Sequence, residues 1–109
     1  MTLDGTTIRI GVLDYTVRVE RQPRSEDDRK LWGEIDYGVG TIRIDTTTTP
    51  AFQAVTLWHE LIHGLLEQAG QEQSEATCKA ISFGVTQLLR DNPDLPALTT
   101  ELLTTKESS

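Results

Sequence analysis

The sequence has few of the residues that usually form disulfides and metal clusters, with one cysteine and two histidines in 109 residues. A single cysteine excludes an internal disulfide framework and a zinc cluster built from cysteines, and it fits a reducing cytoplasm. The N-terminal residues MTLDGTTIRI lack the basic and apolar regions of a signal peptide. No apolar run approaches the length of a membrane span. We therefore expect a cytoplasmic protein with no membrane partner.

Positive charge and aromatic side chains are also scarce. Ten Lys and Arg residues stand against 17 Asp and Glu residues, which gives a formal net charge of −7. Nucleic acids bind basic surfaces, so this composition predicts no nucleic-acid partner. Hydrophobic residues make up 37% of the chain and aromatic residues 6%. We expect one domain, residues 1–109, with a modest core.

The first 45 residues alternate between apolar and polar side chains, as strands do. Residues 7–20 predict a hairpin, with Ile8 and Ile10 on one face and a turn near Gly11 and Asp14; the second strand places Tyr15, Val17 and Val19 on one face. Residues 21–31 are highly charged and predict a solvated loop. Residues 32–45 predict a second hairpin, so residues 7–45 should form a small antiparallel or mixed sheet.

Helical patterns follow the predicted sheet. Thr49 can cap a helix whose first residue is Pro50, and Gly70 can end it after residue 69. A second helix is expected over residues 73–91. Its helical stripe consists of Ala76, Ala80, Phe83, Gln87 and Leu88, and the apolar residues Ile81, Val85 and Leu89 lie beside it. A short third helix over residues 95–103 would precede a loose tail, residues 104–109. These elements predict an α+β fold of zincin-like type, with two or three helices packed on the sheet.

Both histidines lie in the first predicted helix, in the segment TLWHELIHGLLEQAG. His59 and His63 are four residues apart, which places them about 40° apart around a helix axis and one turn apart along it. Two imidazoles on one side of a helix can bind one Zn²⁺ ion. Glu60 would stand beside a metal-bound water and act as its general base. The H-E-x-x-H spacing therefore predicts a zinc-dependent peptidase that acts on a protein or peptide.

The apolar neighbours of these residues strengthen this interpretation. Burying two imidazoles and a carboxylate among leucines is costly unless they are paired or bound to a metal. Two histidines that merely form hydrogen bonds are the alternative interpretation, because H-E-x-x-H fixes only three positions.

A catalytic zinc site needs a third protein ligand, and no histidine remains for it. Leu66 and Ala69 occupy the glycine and histidine positions of the extended H-E-x-x-H-x-x-G-x-x-H motif, which excludes that motif. Glu75, expected one turn into the second helix, is the favoured ligand, with Glu72 as the alternative. The alternative role of either carboxylate is to complement the helix dipole. Glu67 would place all three ligands nearly in line along one helix.

Other residues are weaker candidates for the site. Tyr37 is a possible oxyanion donor, ahead of Tyr15, although a partly buried strand tyrosine is the simpler interpretation. Residues 41–45 are a candidate edge strand for an extended substrate. Asp36 or Asp45 would be able to orient a histidine. Cys78 is expected to be a small buried side chain or to face the metal.

Residues 32–93 resemble the minimal gluzincin domain of the ImmA/IrrE-type metallopeptidases. The similarity rests on LWHELIHGL, on an early glutamate in the next helix, and on an apolar stripe formed by Ala80, Phe83, Gly84, Leu88 and Leu89. The ending LLRDNP is similar to small phage- and prophage-encoded members. The resemblance implies zinc held by His59, His63 and a carboxylate of the second helix, with Glu60 as general base. ImmA-type members cleave repressor proteins, sometimes together with a DNA-binding domain.

The chain departs from that family pattern in two ways. It has no helix-turn-helix segment, and the glutamate that usually precedes the stripe would fall near Thr77 rather than at Glu75. The alternative function is a non-catalytic zincin-like interaction module of a phage or mobile element, with or without a metal.

Overall fold

A computed structural model describes residues 2–106, and their first part forms a four-stranded sheet. The strands are β1 (Thr7–Ile10), β2 (Leu13–Glu20), β3 (Gly33–Asp36) and β4 (Thr41–Asp45), in the spatial order β1-β2-β4-β3. The pairs β1/β2 and β3/β4 are antiparallel, whereas β2 and β4 run parallel. Both predicted hairpins are present, and their parallel junction makes the sheet mixed.

Glycines make the tight turns of both hairpins possible. Gly11 and Gly40 have φ angles of 60° and 79°, a left-handed region in which a side chain is disfavoured. The first turn is formed by residues 11 and 12. The predicted turn position of Asp14 is wrong: Asp14 lies in β2, where its carboxylate accepts a hydrogen bond from Arg9 Nε at 2.9 Å.

Three helices follow the sheet: α1 (Pro50–Gln68), α2 (Glu75–Asp91) and α3 (Leu95–Thr104). The Thr49 hydroxyl accepts a hydrogen bond from the Phe52 amide at the start of α1, and Gly70 follows its end with a φ of 67°. The Ser74 hydroxyl caps α2 in the same way. The chain is thus α+β, as the sequence predicts. Of the predicted loose tail, Thr104 belongs to α3, and residues 107–109 lie outside the described residues.

The α1 helix lies between the sheet and α2. The core beneath α1 is formed by Ile10, Tyr15, Val17, Ile42, Ile44 and Leu61. Within the described chain, α2 buries only Cys78 and Ser82, so the predicted apolar stripe of α2 is wrong. Phe83 and Leu88 of that stripe are about half exposed. No residue of α3 is buried, judged over the described part of the chain.

None of the helices in residues 2–106 combines the length and the apolar character that crossing a membrane requires.

Candidate metal centre

The two histidines of α1 face each other across one turn of the helix. His59 Nε2 and His63 Nε2 are 3.2 Å apart, and the ring planes are inclined by 65°. The side chains are 21% and 12% exposed. Leu61 and Ile62, between the two histidines in sequence, are buried. The buried residues of α1 pack in the core, whereas both Nε2 atoms contact a side chain of α2.

That group is Glu75, the first residue of α2. One carboxylate oxygen lies 2.8 Å from His63 Nε2, and the other lies 3.1 Å from His59 Nε2. The expectation that Glu75 lies one turn into its helix is wrong, because residues 71–74 form a longer connection before α2 begins. The Ser74 hydroxyl caps α2, which therefore starts at Glu75. The side chain of Glu75 is 77% exposed, so the cluster is reachable from solvent.

The spacing of these atoms fits a small cation. In a tetrahedral zinc site with bonds of about 2.0–2.1 Å, ligand atoms lie about 3.3 Å apart. The two Nε2 atoms are 3.2 Å apart, and each contacts a different oxygen of Glu75, at 2.8 and 3.1 Å. With one ligand atom taken from each residue, the three atoms lie within 4.8 Å of one another. Two imidazoles and one carboxylate are also a donor set that catalytic zinc sites use.

The two other candidate carboxylates lie outside this cluster. Glu72 is an exposed residue of the connection between α1 and α2 and is not one of the clustered ligands. Glu67 of α1 accepts a hydrogen bond from the Gln73 amide nitrogen. Among the described residues, the cluster of possible metal ligands contains Glu75 and neither of these two glutamates.

Glu60 is buried on the sheet side of the histidines, with only 8% of its surface exposed. Burial raises the pKa of its carboxyl to about 7, with smaller contributions from Glu75 and Glu34, while His63 opposes the shift. A carboxyl with this pKa can both accept and release a proton near neutral pH.

A groove of about 920 Å³ runs past the cluster between β3, α1 and α2. His59, Glu60, His63 and Glu75 line it together with Gly33 to Ile35 of β3 and the aromatic side chains of Trp32, Tyr37, Phe52 and Phe83. The predicted edge strand is wrong: β4 lies between β2 and β3, and β3 is the edge strand beside the groove. The sequence does not reveal this order, because both strands of the hairpin alternate equally well.

The phenol of Tyr37 reaches the site but is already engaged. Its hydroxyl donates a hydrogen bond to Gln73 Oε1 at 3.0 Å and lies 3.4 Å from the carbonyl oxygen of His63. An oxyanion role for Tyr37 requires the first of these bonds to break, and this role stays a prediction. Tyr15 is 2% exposed within the core of the sheet.

Gln73 is a site residue that the sequence analysis did not identify. Its Oε1 atom lies 2.9 Å from His63 Nδ1, the ring nitrogen on the side away from Glu75. Gln73 belongs to the non-helical connection before α2. No periodic pattern marks such a position, so the sequence carries no signal that separates Gln73 from the neighbouring Gln71.

The two predicted orienting aspartates serve turns instead. Asp36 Oδ1 accepts hydrogen bonds from the Gly38 and Val39 amides, and Asp45 Oδ1 accepts hydrogen bonds from the backbone after β2 and β4. Neither carboxylate is hydrogen-bonded to a histidine within residues 2–106. The thiol of Cys78 is buried, and its sulfur lies 3.7 Å from His63 Nδ1, so it packs behind the His63 ring.

Comparisons with protein families, curated proteins and solved structures give no match to this chain.

Proposed function

We propose that the protein is a zinc-dependent metallopeptidase of the ImmA/IrrE-like gluzincin type, with His59, His63 and Glu75 as zinc ligands and Glu60 as general base. The observation that carries the proposal is the convergence of the three ligand side chains, 2.8 to 3.2 Å apart, beside a buried carboxyl group. The open groove beside them gives a peptide access to this point.

Within the chain, Glu60 is the proposed general base and general acid. When bound, zinc supplies Lewis-acid polarisation of the scissile carbonyl and favours deprotonation of water. Glu60 accepts the proton that the attacking water loses and then delivers it to the leaving nitrogen. Burial raises the pKa of this carboxyl to about 7 in the metal-free chain, and a bound cation would lower it towards the ionised form that a base requires. The buried position keeps the carboxyl beside the histidines without making it a ligand.

The edge strand β3 suits an extended peptide, which would compete with Glu60 for the Ile35 amide. A peptide backbone can add to an exposed sheet edge through main-chain hydrogen bonds, and residues 33–35 of β3 line the groove. Trp32 and Phe52 line the groove and form an edge-to-face pair, with ring centroids 5.1 Å apart. We expect substrates to bind in extended form, with an apolar side chain against this aromatic pair.

A second candidate function is a non-catalytic interaction module. The observation that favours it is that the 2.8 Å contact between Glu75 and His63 also has the length of an ordinary charge-assisted hydrogen bond. In that arrangement a protonated histidine, rather than a zinc ion, would compensate the carboxylate.

Zinc content and peptide hydrolysis, measured on the same preparations, separate these functions. The wild-type protein should bind one zinc ion and cleave members of a library of unstructured peptides. Glu60→Gln should retain the zinc and lose at least about 100-fold in kcat/KM. His63→Ala should lose both the zinc and the activity. The Glu72→Gln variant is the matched control, because Glu72 is exposed and lies outside the cluster.

Two results would contradict the peptidase. Stoichiometric zinc without any hydrolysis across the library would favour the interaction module. Activity that persists in Glu60→Gln would remove Glu60 from the chemistry.

A further inference from the structure

Three aromatic side chains, Trp32, Phe52 and Phe83, form what is here named the aromatic subsite of the groove. Trp32 and Phe52 are in edge-to-face contact. Phe52 and Phe83 also line a second, adjacent cavity together, so these two rings are neighbours in space. Trp32 is 59% exposed and Phe83 is 48% exposed. The subsite therefore offers apolar surface that the fold itself leaves uncovered, beside a groove where a ligand has access.

The two helices fix the distance between this subsite and the candidate metal ligands. Phe52 precedes His59 by seven residues in α1, which places their backbones about 10 Å apart along the helix axis. Phe83 follows Glu75 by eight residues in α2, a distance of about 12 Å along its axis. Both helices thus give a similar separation between the subsite and the cluster of ligands.

The hairpin of β3 shows that the subsite lies on one side of the cluster. Trp32, just before β3, packs against Phe52 near the start of α1. Tyr37, just after β3, lies 3.4 Å from the carbonyl oxygen of His63, farther along α1. The strand therefore runs antiparallel to α1, and the groove beside it leads from the aromatic side chains to the candidate ligands.

The length of this part of the groove corresponds to a short stretch of extended peptide. An extended chain advances about 3.3 Å per residue, so the separation of roughly 10–12 Å spans three to four residues. Successive side chains of an extended chain point to opposite faces. Only one of the two residues at this distance can therefore turn its side chain towards the aromatic subsite.

We propose that the aromatic subsite selects one aromatic or large aliphatic side chain of the substrate, three or four residues from the scissile bond and on one side of it. Removing such a side chain from water against aromatic rings supplies the binding energy. The position of the scissile bond rests on the proposed function. The affinity of the subsite for the side chain does not, because it requires neither zinc nor hydrolysis.

The first experiment moves one phenylalanine through an otherwise apolar-poor, unstructured peptide. The zinc-loaded wild-type protein cleaves each peptide, and mass spectrometry identifies the cleaved bond. The bond should move with the phenylalanine and stay three or four residues from it, always on the same side. The best peptide should exceed the parent without phenylalanine by about 10-fold or more in kcat/KM.

Variants of the subsite test which side chains cause this preference. Phe83→Ala and Trp32→Ala should each reduce the ratio of kcat/KM between the best peptide and the parent to less than about threefold. Leu88→Ala is the matched control and should keep the wild-type ratio. Leu88 is 54% exposed on the same helix as Phe83, and it is not among the described residues that line the groove.

Binding without turnover is read from the indole ¹⁵N–¹H signals of the zinc-free, full-length protein. The chain has two tryptophans, Trp32 and Trp58, and Trp58 packs against the core. Addition of the best phenylalanine peptide should shift the Trp32 signal more than the parent peptide does, with little change at Trp58. Phe83→Ala should remove this difference, whereas Leu88→Ala should retain it.

The outcomes separate this inference from the proposed function. A cleaved bond that ignores the phenylalanine, or a preference that survives in both Phe83→Ala and Trp32→Ala, would overturn the subsite in a protein that is still a peptidase. Equal Trp32 shifts with both peptides would also overturn it. A Trp32 shift that depends on phenylalanine and is lost in Phe83→Ala, in a protein that cleaves no peptide, would support selection by the subsite and contradict the peptidase.

Discussion

The Nε2 atoms of His59 and His63 lie 3.2 Å apart, with a carboxylate of Glu75 in contact with both rings. Two neutral imidazoles at this distance form an N–H···N hydrogen bond when one Nε2 atom carries a hydrogen and the other does not. A cation bound by both rings and the carboxylate is the alternative arrangement. The predictions below distinguish these two arrangements and test the fold that holds the rings in place.

The choice of third ligand predicts unequal effects for two neighbouring glutamates. Glu75→Gln should weaken zinc binding by about 100-fold or more, because a neutral amide replaces a charged ligand. Glu72→Gln should change the affinity by less than about threefold, since an exposed side chain outside the cluster interacts only weakly with it. Isothermal titration with zinc, or chelator competition, measures both. Equal losses in the two variants would show that net charge, rather than coordination by Glu75, controls binding.

Glu60 should destabilise the zinc-free protein at neutral and alkaline pH. Its folded-state pKa of about 7 lies above the ordinary value for a glutamate. The folded state therefore holds the proton more tightly, and stability falls as the pH rises towards and through about 7. Glu60→Gln removes this cost and should raise the free energy of unfolding by up to about 3 kcal/mol at about pH 8, but by under about 1 kcal/mol at about pH 5.

Urea unfolding in the presence of a chelator, at both pH values, measures this difference. Glu72→Gln serves as the control, because its loss of charge occurs at an exposed position. A Glu60→Gln variant that is less stable than the wild type at about pH 8 would contradict a net cost for burying the Glu60 carboxylate.

Gly33 allows β3 to approach α1 at the position of Thr56, one turn before Glu60. A Cβ atom at Gly33 would overlap the Thr56 methyl group and lie 3.1 Å from the carbonyl oxygen of Arg43. Gly33→Ala should therefore cost about 1–3 kcal/mol, and adding Thr56→Ser should recover part of the loss. Gly84→Ala is the opposite case, because its Cβ would meet open space within a helix, and it should stabilise by about 0.5–1 kcal/mol.

Thermal or urea unfolding of these variants gives the comparison. Equal stability of the Gly33→Ala protein and the wild type would mean that β3 and α1 are not in close contact. The groove lined by Gly33, Thr56 and Glu60 would then be wider than the structure shows.

Asp45 connects β4 to the start of α1 through buried hydrogen bonds. Its Oδ1 atom accepts hydrogen bonds from the Gln22 amide, the Thr47 amide and the Thr47 hydroxyl, at 3.0, 2.9 and 2.8 Å. These bonds lower the pKa of the carboxyl, led by the Thr47 amide. The ionised Asp45 carboxylate therefore stabilises the fold above the ordinary aspartate pKa of about 3.9. This stabilisation is lost as the pH falls through the lower pKa of the folded state.

Asp45→Ala should cost on the order of 3 kcal/mol at neutral pH, because it leaves buried donors unpaired. The difference from the wild type should shrink in acid. Asp14→Ala, at an exposed carboxylate that pairs with Arg9, should change stability by less than about 1 kcal/mol. Chemical unfolding at several pH values measures both variants. A pH-independent cost for Asp45→Ala would show that packing, rather than the charged carboxylate, is lost.

The sequence predicts the elements of this fold well and their arrangement less well. Thr49, Pro50 and Gly70 mark the bounds of α1 within one residue, since caps and stops are local interactions. The mixed strand order is not local, because it depends on which edge of the β3–β4 hairpin meets β2. The buried face of α2 was wrongly predicted, because most of its larger apolar side chains remain partly or wholly exposed.

The same distinction applies to the site. The spacing of His59 and His63 follows from helical geometry alone, so the sequence is enough to predict their convergence. The position of Glu75 depends on the length of a non-helical connection, which the sequence analysis predicted too short. The contact of Gln73 with His63 depends on the path of the same connection, and no periodic pattern encodes it.

The most direct test is anomalous diffraction at the zinc absorption edge, from crystals of the full chain grown with one equivalent of zinc. The proposed function predicts one anomalous peak about 2.0–2.2 Å from His59 Nε2, His63 Nε2 and a Glu75 oxygen, with Glu60 outside the coordination shell. Absence of a peak between the two rings, with Glu75 still hydrogen-bonded to both histidines, would contradict the metal centre and the hydrolysis proposed for it.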